Sequence, residues 1–265
     1  CNITKNDIVN NEDGIDLIGS SNNIIAENNL TNNLWGISLL FHSSDNTITG
    51  NNIRENNDYG VLLSGSSCNT ISENNMKNNW VGLALGYSSN NNTVYGNNIE
   101  NNSYGIVFRE SCFYNAIFHN NLISNTEQVY DYAWELDSPI GPSKNIWDGG
   151  YLSGGNFWSD HNPPDIYSGP YQNETGSDGI GDTSYIMDAD NVDRYPLIYP
   201  FGYIPNPDLN NDGVIDILDL VRIALAYGSI PGIPIWNPYI DLKQDSIMDI
   251  FDLVIIAVNY GKTYP

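Results

Sequence analysis

Oxygen-bearing side chains recur at calcium-loop spacing near the C-terminus. Asp208, Asn210, Asp212, Asp216 and Asp219 fall at positions 1, 3, 5, 9 and 12 of a loop, with Gly213 at position 6. Calcium takes hard oxygen donors, and the sharp turn at position 6 calls for glycine. Val214 would lend its main-chain carbonyl at position 7. A second copy begins 241 − 208 = 33 residues on, with Asp241, Asp245, Asp249 and Asp252 at positions 1, 5, 9 and 12 and Ile247 at the carbonyl position. Lys243 and Ser246 replace its third ligand and its glycine, so this loop is expected to hold calcium more weakly, or to seat the lysine ammonium in its place. Each loop runs into a short apolar helix, expected over about 220–227 and 253–260 and ended by Gly228 and Gly261. A third acidic group, Asp178, Asp182, Asp188, Asp190 and Asp193, lies among tight-turn residues. It reads either as another calcium site or as a solvated loop of Asx turns.

The rest of the chain must carry these loops. Across 265 residues, 9 Lys and Arg face 32 Asp and Glu, a net charge of −23. So acidic a chain does not neutralise a phosphate backbone, which excludes nucleic acid, and it suits an anionic membrane poorly. No apolar run reaches the ~18 residues of a membrane helix. Three cysteines are too few for a disulfide scaffold. Cys68 and Cys112 stand about two repeats apart, too far for a bridge, and are expected as free buried thiols.

A repeat organises the first half. The pairs Asn28-Asn29, Asn51-Asn52, Asn74-Asn75, Asn97-Asn98 and Asn120-Asn121 recur every 23 residues. A glycine column (Gly14, Gly36, Gly60, Gly82, Gly105) and a serine column follow the same beat. Three apolar columns accompany them, one through Ile25, Ile48 and Ile71, one through Leu30, Ile53 and Met76, and one pairing Ile37 with Leu39 and Val61 with Leu63. Segments this short, bounded by Asn, Gly and Ser, are strands rather than helices. Three strands per 23-residue turn predict a mainly β chain, a parallel β-helix of about five to six turns over 1–125. Asn51, Asn74 and Asn97 are expected to stack as corner ladders, and the glycines to make tight corners. A Gly-, Asp- and aromatic-rich segment over 126–204 supplies a cap, and the paired loops over 205–265 form a small α-helical module.

These repeats resemble the NosD-like and pectin-lyase-like right-handed β-helix families, archaeal surface versions among them. The strings GGNFWSD at 154–160 and DIYSGPYQNETGSDGIGDTSYIMDADNVDRYPL at 165–197 resemble the tail that follows archaeal NosD-like repeats. The two loop-helix copies resemble a type I dockerin, which implies calcium on the loop positions named above and docking to a cohesin-like domain. Dockerins of cellulosomes often carry Ser or Thr where this chain has Ile217-Leu218 and Ile250-Phe251. Those apolar pairs are the expected partner surface, for a cohesin-like domain or another copy of the chain.

Catalysis on a β-helix of the polysaccharide-degrading kind needs paired carboxylates on neighbouring turns. Glu27 and Glu73 share a column but stand two turns apart with Gly50 between them. Arg54, Lys77 and Arg109 have no acidic cage to make a lyase centre, and His42, His119 and His161 are too scattered for copper. The favoured reading is therefore a non-catalytic, secreted surface or assembly protein. A carbohydrate-active enzyme, lyase or glycosidase, or a polysaccharide-binding β-helix is the alternative. Sequons at Asn2, Asn29, Asn91, Asn101 and Asn173 fit a glycosylated surface protein. The repeat is in register from Cys1 onward, so the first turn either continues a longer solenoid or offers an open edge. Covered by the apolar module of the next copy, such an edge would propagate as a filament.

Overall fold

The computed structural model describes residues 1–132, 142–202, 206–210, 212–230, 233–237, 240–243 and 247–263. They form two compact units, one of Cys1–Asn162 with Thr183–Phe201 and one of Pro163–Asp182 with Gly202–Pro265.

The first unit is a parallel β-helix of the right-handed type. Its turns contribute one strand each to three sheets of seven, seven and six strands, all pairings parallel. Sheet A begins with Asn2–Thr4 and Ile24–Ala26, sheet B with Asp7–Val9 and Asn29–Thr31, and sheet C with Asp13–Ile18 and Trp35–Leu40. The apolar columns line the bore in register: Ile25 on Ile48, Leu30 on Ile53, Ile37 on Val61 and Leu39 on Leu63. These side chains are fully buried in one continuous core. Stacking like on like buries each aliphatic chain against its equivalents above and below, so one short motif suffices for every turn.

The corners are held by asparagine. Asn51 donates from its main-chain N, at 3.0 Å, and from Nδ2, at 2.9 Å, to Oδ1 of Asn74 on the next turn. The same Nδ2 also reaches the Ile25 carbonyl of the turn before, at 2.9 Å. Asn74 repeats this onto Asn97, and Asn97 onto Asn120. Two sister columns, through Asn46, Asn69 and Asn92 and through Asn56, Asn79 and Asn102, do the same at the other corners. All of these are buried. The left-handed conformations fall on Lys5, Glu27, Gly50, Glu73 and Gly96 in one column and on neighbouring corner positions, not on the Gly14–Gly105 column.

That glycine column departs from the sequence expectation of tight corners. It lies in or beside the sheet C strands, where adjacent turns nearly touch. A Cβ on Gly60 would stand 2.6 Å from the Gly82 carbonyl oxygen, and one on Gly82 2.6 Å from Ile99 Cγ2. Cys68 differs too: it is exposed, whereas Cys112 is buried. Cys112 takes the serine column's place, its N–H donating to Ser143 Oγ at 3.1 Å.

The stack runs on past Asn125. Strands Lys144–Ile146 and Phe157–Trp158 extend sheets A and B, and Glu127–Asp131 closes sheet C. Each inward asparagine ladder leaves N–H donors facing the following turn, so its last member needs an acceptor. Asn125 donates to Gln128 Oε1 at 2.9 Å, Asn145 to Asn191 Oδ1 at 3.1 Å and Asn156 to Asp193 Oδ2 at 2.7 Å. Trp147 and Trp158, both buried, seal the apolar end of the bore.

In the second unit, helices α1 (Ile217–Ala226) and α2 (Ile250–Asn259) pack around Ile215, Ile223, Met248 and Ile256.

Replacing Asn74 by Ala removes an amide whose Nδ2 contacts three acceptors and whose Oδ1 takes both donors of Asn51, which are left stranded in a buried corner. The expected loss is roughly 3–5 kcal/mol, since each orphaned buried group costs about 1–3 kcal/mol. Gly82→Ala is expected to cost about 1–3 kcal/mol by overpacking. Urea unfolding followed by circular dichroism reads both.

Candidate functional site

The paired loops fold as near copies. Asp216 caps α1 by accepting the Leu218 N–H at 2.7 Å, and Asp219 reaches back to accept the Asp216 N–H at 2.8 Å. Asp249 and Asp252 do the same for α2, with Phe251 and Asp249 as donors at 2.7 and 2.8 Å. This reciprocal cap starts each helix where the loop ends, and its acidic residues sit favourably at the positive helix end. The copies also lock each other. Gly228 donates to the Met248 carbonyl and Gly261 to the Ile215 carbonyl, each at 2.8 Å. Ile215 and Met248 hold equivalent loop positions and are both fully buried.

Within the first loop, Asp208 accepts the N–H groups of Asp212 and Gly213 at 3.2 and 2.8 Å. Asp212 accepts that of Val214 at 3.0 Å, and Asn210 Nδ2 donates to Asp212 Oδ2 at 2.8 Å. Asp219 gathers the N–H groups of Leu209 and Asn210 at 2.7 and 3.2 Å. Asp208 and Asp219 are thus buried carboxylates of one loop, and no Lys or Arg forms a salt bridge with either among the described residues. In the second loop Asp241 and Asp252 are buried equivalents, and Lys243 sets its ammonium 4.3 Å from the centre of the Phe251 ring. Asp245 lies outside the described residues. Ile217, Leu218, Ile250 and Phe251 are each more than half exposed, at 52–55%.

The acidic run is divided between the two units. Asp178 and Asp182 belong to the second unit, where Asp182 accepts the N–H groups of Ile166 and Tyr167 and Asp178 that of Ile180. Asp188, Asp190 and Asp193 belong to the first. Asp188 closes an Asx turn on Asp190 and Asn191, and Asp190 pairs with Lys144 at 3.1 Å. Asp193 ends a corner ladder. Among the described residues no three His, Cys, Asp or Glu side chains gather as a metal-holding group.

The sequons differ in availability. Asn29 is engaged on both sides, donating to Asp7 Oδ1 and accepting from Asn52 Nδ2 at 2.9 Å. Asn2, Asn91, Asn101 and Asn173 are exposed.

A further grouping lies on the outer face of sheet C. Asp58 accepts from the Trp35 indole at 3.2 Å, next to Tyr59. The Arg109 guanidinium lies between the rings of Tyr59 and Tyr132, 5.4 and 5.0 Å from their centres. Arg109 is 51 residues from Asp58 and has no spacing relation to it. Only the stacked turns bring them to one face.

These features define a parallel β-helix joined to a small paired-helix unit. A family model described as NosD, periplasmic copper-binding protein, matches residues 1–163, and the chain belongs to that family. Among solved structures, a mutant of the periplasmic alginate epimerase AlgG is similar at 25% identity with a TM-score of 0.39, over 54% of this chain and 40% of that one. The enzymatically active domain of bacteriophage CBA120 tailspike protein 2 is similar at 14% identity with a TM-score of 0.35, over 66% of this chain and 30% of that one. The chain thus spans less than half of either. A comparison with curated proteins found no match.

The ladder-ending carboxylate should register pH. Burial pushes Asp193 up to about 7, against the pull of N–H donors from Asn156, Trp158 and Tyr195. A carboxyl with a raised folded pKa gives its full stability where both states are protonated, below about 4, and loses it as pH climbs through about 7. The melting temperature of the β-helix is expected to fall by at least about 5 °C between pH 5 and 8, and Asp193→Asn to flatten that slope. Calorimetry at stepped pH reads the difference.

Proposed function

We propose that the chain is a secreted or surface-held β-helix scaffold whose C-terminal module binds calcium and docks to a partner. The observation that carries this reading is the duplicated loop-helix pair, with buried carboxylates in both loops and matching exposed apolar residues at both helix starts. The first loop fits a hard cation: Asp208, Asn210, Asp212, Asp216, Asp219 and the Val214 carbonyl are all oxygen donors. A bound ion would have to displace the Asn210–Asp212 contact and would neutralise two buried carboxylates. The second loop would hold calcium less well, because Lys243 brings a positive charge to it. No step of catalysis is assigned: among the described residues the column-sharing Glu27 and Glu73 stand two turns apart with Gly50 between them.

The family description names copper, and the residues do not fit that metal. Copper favours thioether, thiolate and imidazole ligands. Met76 and Met248 are sealed in apolar cores. Burial pushes the Cys112 thiol up to about 12. His119 stacks 4.1 Å from the Phe201 ring with Nε2 2.6 Å from the Ser153 carbonyl, and His161 sits against the Thr183 carbonyl at 3.0 Å.

The partner surface is apolar: Ile217 and Leu218 on α1, Ile250 and Phe251 on α2. A cohesin-like domain or a second copy of the chain would cover it, and repeated self-docking would build filaments. Attached glycans would sit on Asn2, Asn91, Asn101 and Asn173 rather than on the hydrogen-bonded Asn29.

Calcium should raise the melting temperature of the second unit. Full occupancy at about a hundredfold excess over Kd stabilises by about 2.7 kcal/mol. Asp208→Ala with Asp219→Ala should abolish the shift, and Asp241→Ala should leave most of it. In sedimentation runs, self-docking predicts association in calcium that a chelator reverses and Phe251→Asp prevents. A melting temperature indifferent to calcium sinks the metal reading.

A further inference from the structure

The outer face of sheet C holds polar groups that the fold leaves unsatisfied. Asp58 directly precedes the sheet C strand Tyr59–Ser64, and its Oδ2 accepts a hydrogen bond from the Trp35 indole N–H. Oδ1 is buried and finds no hydrogen-bond partner among the described residues. Arg109 Nε is in the same position, buried and unpartnered, although its guanidinium is clamped between Tyr59 and Tyr132. No salt bridge joins Arg109 to Asp58 among the described residues, so the two charges do not answer one another directly.

Aromatic rings surround these groups. Tyr59 pairs with Val81, so the residues before them, Asp58 and Trp80, lie side by side on adjacent turns, and the Val81 N–H donates to the Asp58 carbonyl. Trp80 is 42% exposed and meets Tyr104 edge-on at 5.8 Å, while Trp35 meets Tyr59 edge-on at 6.2 Å. Tyr104 in turn meets Tyr130 at 5.5 Å, which continues the aromatic wall along the stack. Burial raises the Asp58 pKa, opposed by the Trp35 hydrogen bond and by the Arg109 charge.

We propose that this face binds a neutral saccharide, with a pyranose ring stacked on Trp80 and a ring hydroxyl donated to Asp58 Oδ1. Three requirements select that class. An open indole wants an apolar C–H face. Asp58 wants a donor and Arg109 an acceptor, and a hydroxyl is both. A carboxylate on a chain of net charge −23 disfavours an acidic sugar. Leaving such buried groups unpaired is costly, so a ligand that pairs them gains more than its surface contact alone. The site lies wholly within the β-helix and does not depend on the calcium-docking reading.

The test is tryptophan fluorescence and calorimetry on the full chain, with cellohexaose, mannohexaose, xylohexaose and chitohexaose, in calcium and in chelator. A hexamer of galacturonate is the acidic comparator. At least one neutral hexaose should bind at or below about 1 mM in either medium. Trp80→Ala and Asp58→Asn should each weaken it by about tenfold or more. Trp80 is exposed, so its variant should keep the wild-type melting temperature, and Trp80→Phe should recover part of the affinity. Binding of none of the neutral hexaoses up to about 10 mM overturns the proposal. So does preference for the galacturonate, affinity unchanged in Trp80→Ala, or a Trp80→Ala chain whose only change is lost self-association, which would assign the patch to a second copy.

Discussion

The structure rests on a hydrogen bond that crosses from one turn to the next at every corner. A β-helix corner must turn the chain sharply while its peptide groups are buried, and buried N–H groups must be paired. Asparagine solves both problems with one side chain. Its Oδ1 receives two donors from the turn before, and its Nδ2 returns to that turn's carbonyl. No shorter or longer polar side chain makes the same three contacts at this radius. The contact outlasts changes of spacing: Asn6 and Asn11 reach Asn28 and Asn33 across 22 residues, and Asn120 reaches Asn156 across 36.

The bond has a direction. In each inward ladder the donors point toward the later turn, so the two ends of the stack are chemically different. The later end demands acceptors, and the cap delivers them as Gln128, Asn191 and Asp193. This accounts for the carboxylate at the foot of one ladder, and for the Asp148 beside it, held by both Nε and Nη2 of Arg194. Outside the bore a second ladder runs the other way: Asn52, Asn75 and Asn121 each donate to the asparagine of the turn before.

Much of this was written in the sequence because a solenoid repeats its physics. Ile25, Ile48 and Ile71 announce a column, and the Asn pairs announce the corners. The glycine column was misjudged for an instructive reason. Glycine serves both at left-handed corners and where backbones crowd, and spacing alone does not separate the two; the corners went instead to Lys5, Glu27 and Glu73. The cap was harder. Asn145 and Asn156 continue the ladders at offsets of 30 and 36 residues from Asn115 and Asn120, so the 23-residue beat no longer marks them. The oxygen spacing of the paired loops was legible, and so was the aromatic column before the glycines at Trp35, Tyr59 and Tyr104, but the approach of Asp58 and Arg109 to that column was not. Asp58 and Arg109 come from different turns and share no motif with one another, only a position on the outside of the same sheet.

The direction of the ladder also bears on how the chain acquires its shape. A turn's inward amides are completed only by the turn that follows it, while its strands pair with the turn already laid down. Growth from the first residue onward therefore always adds to a surface that is waiting with donors. A thread delivered from its N-terminus, by a ribosome or through a translocation pore, meets its contacts in the order in which it arrives. Each new turn closes the previous one, and only the cap, where Thr183–Phe201 returns to the first unit after Pro163–Asp182, comes back across a long loop. The acceptor-rich cap, arriving last, is the step that stops the winding.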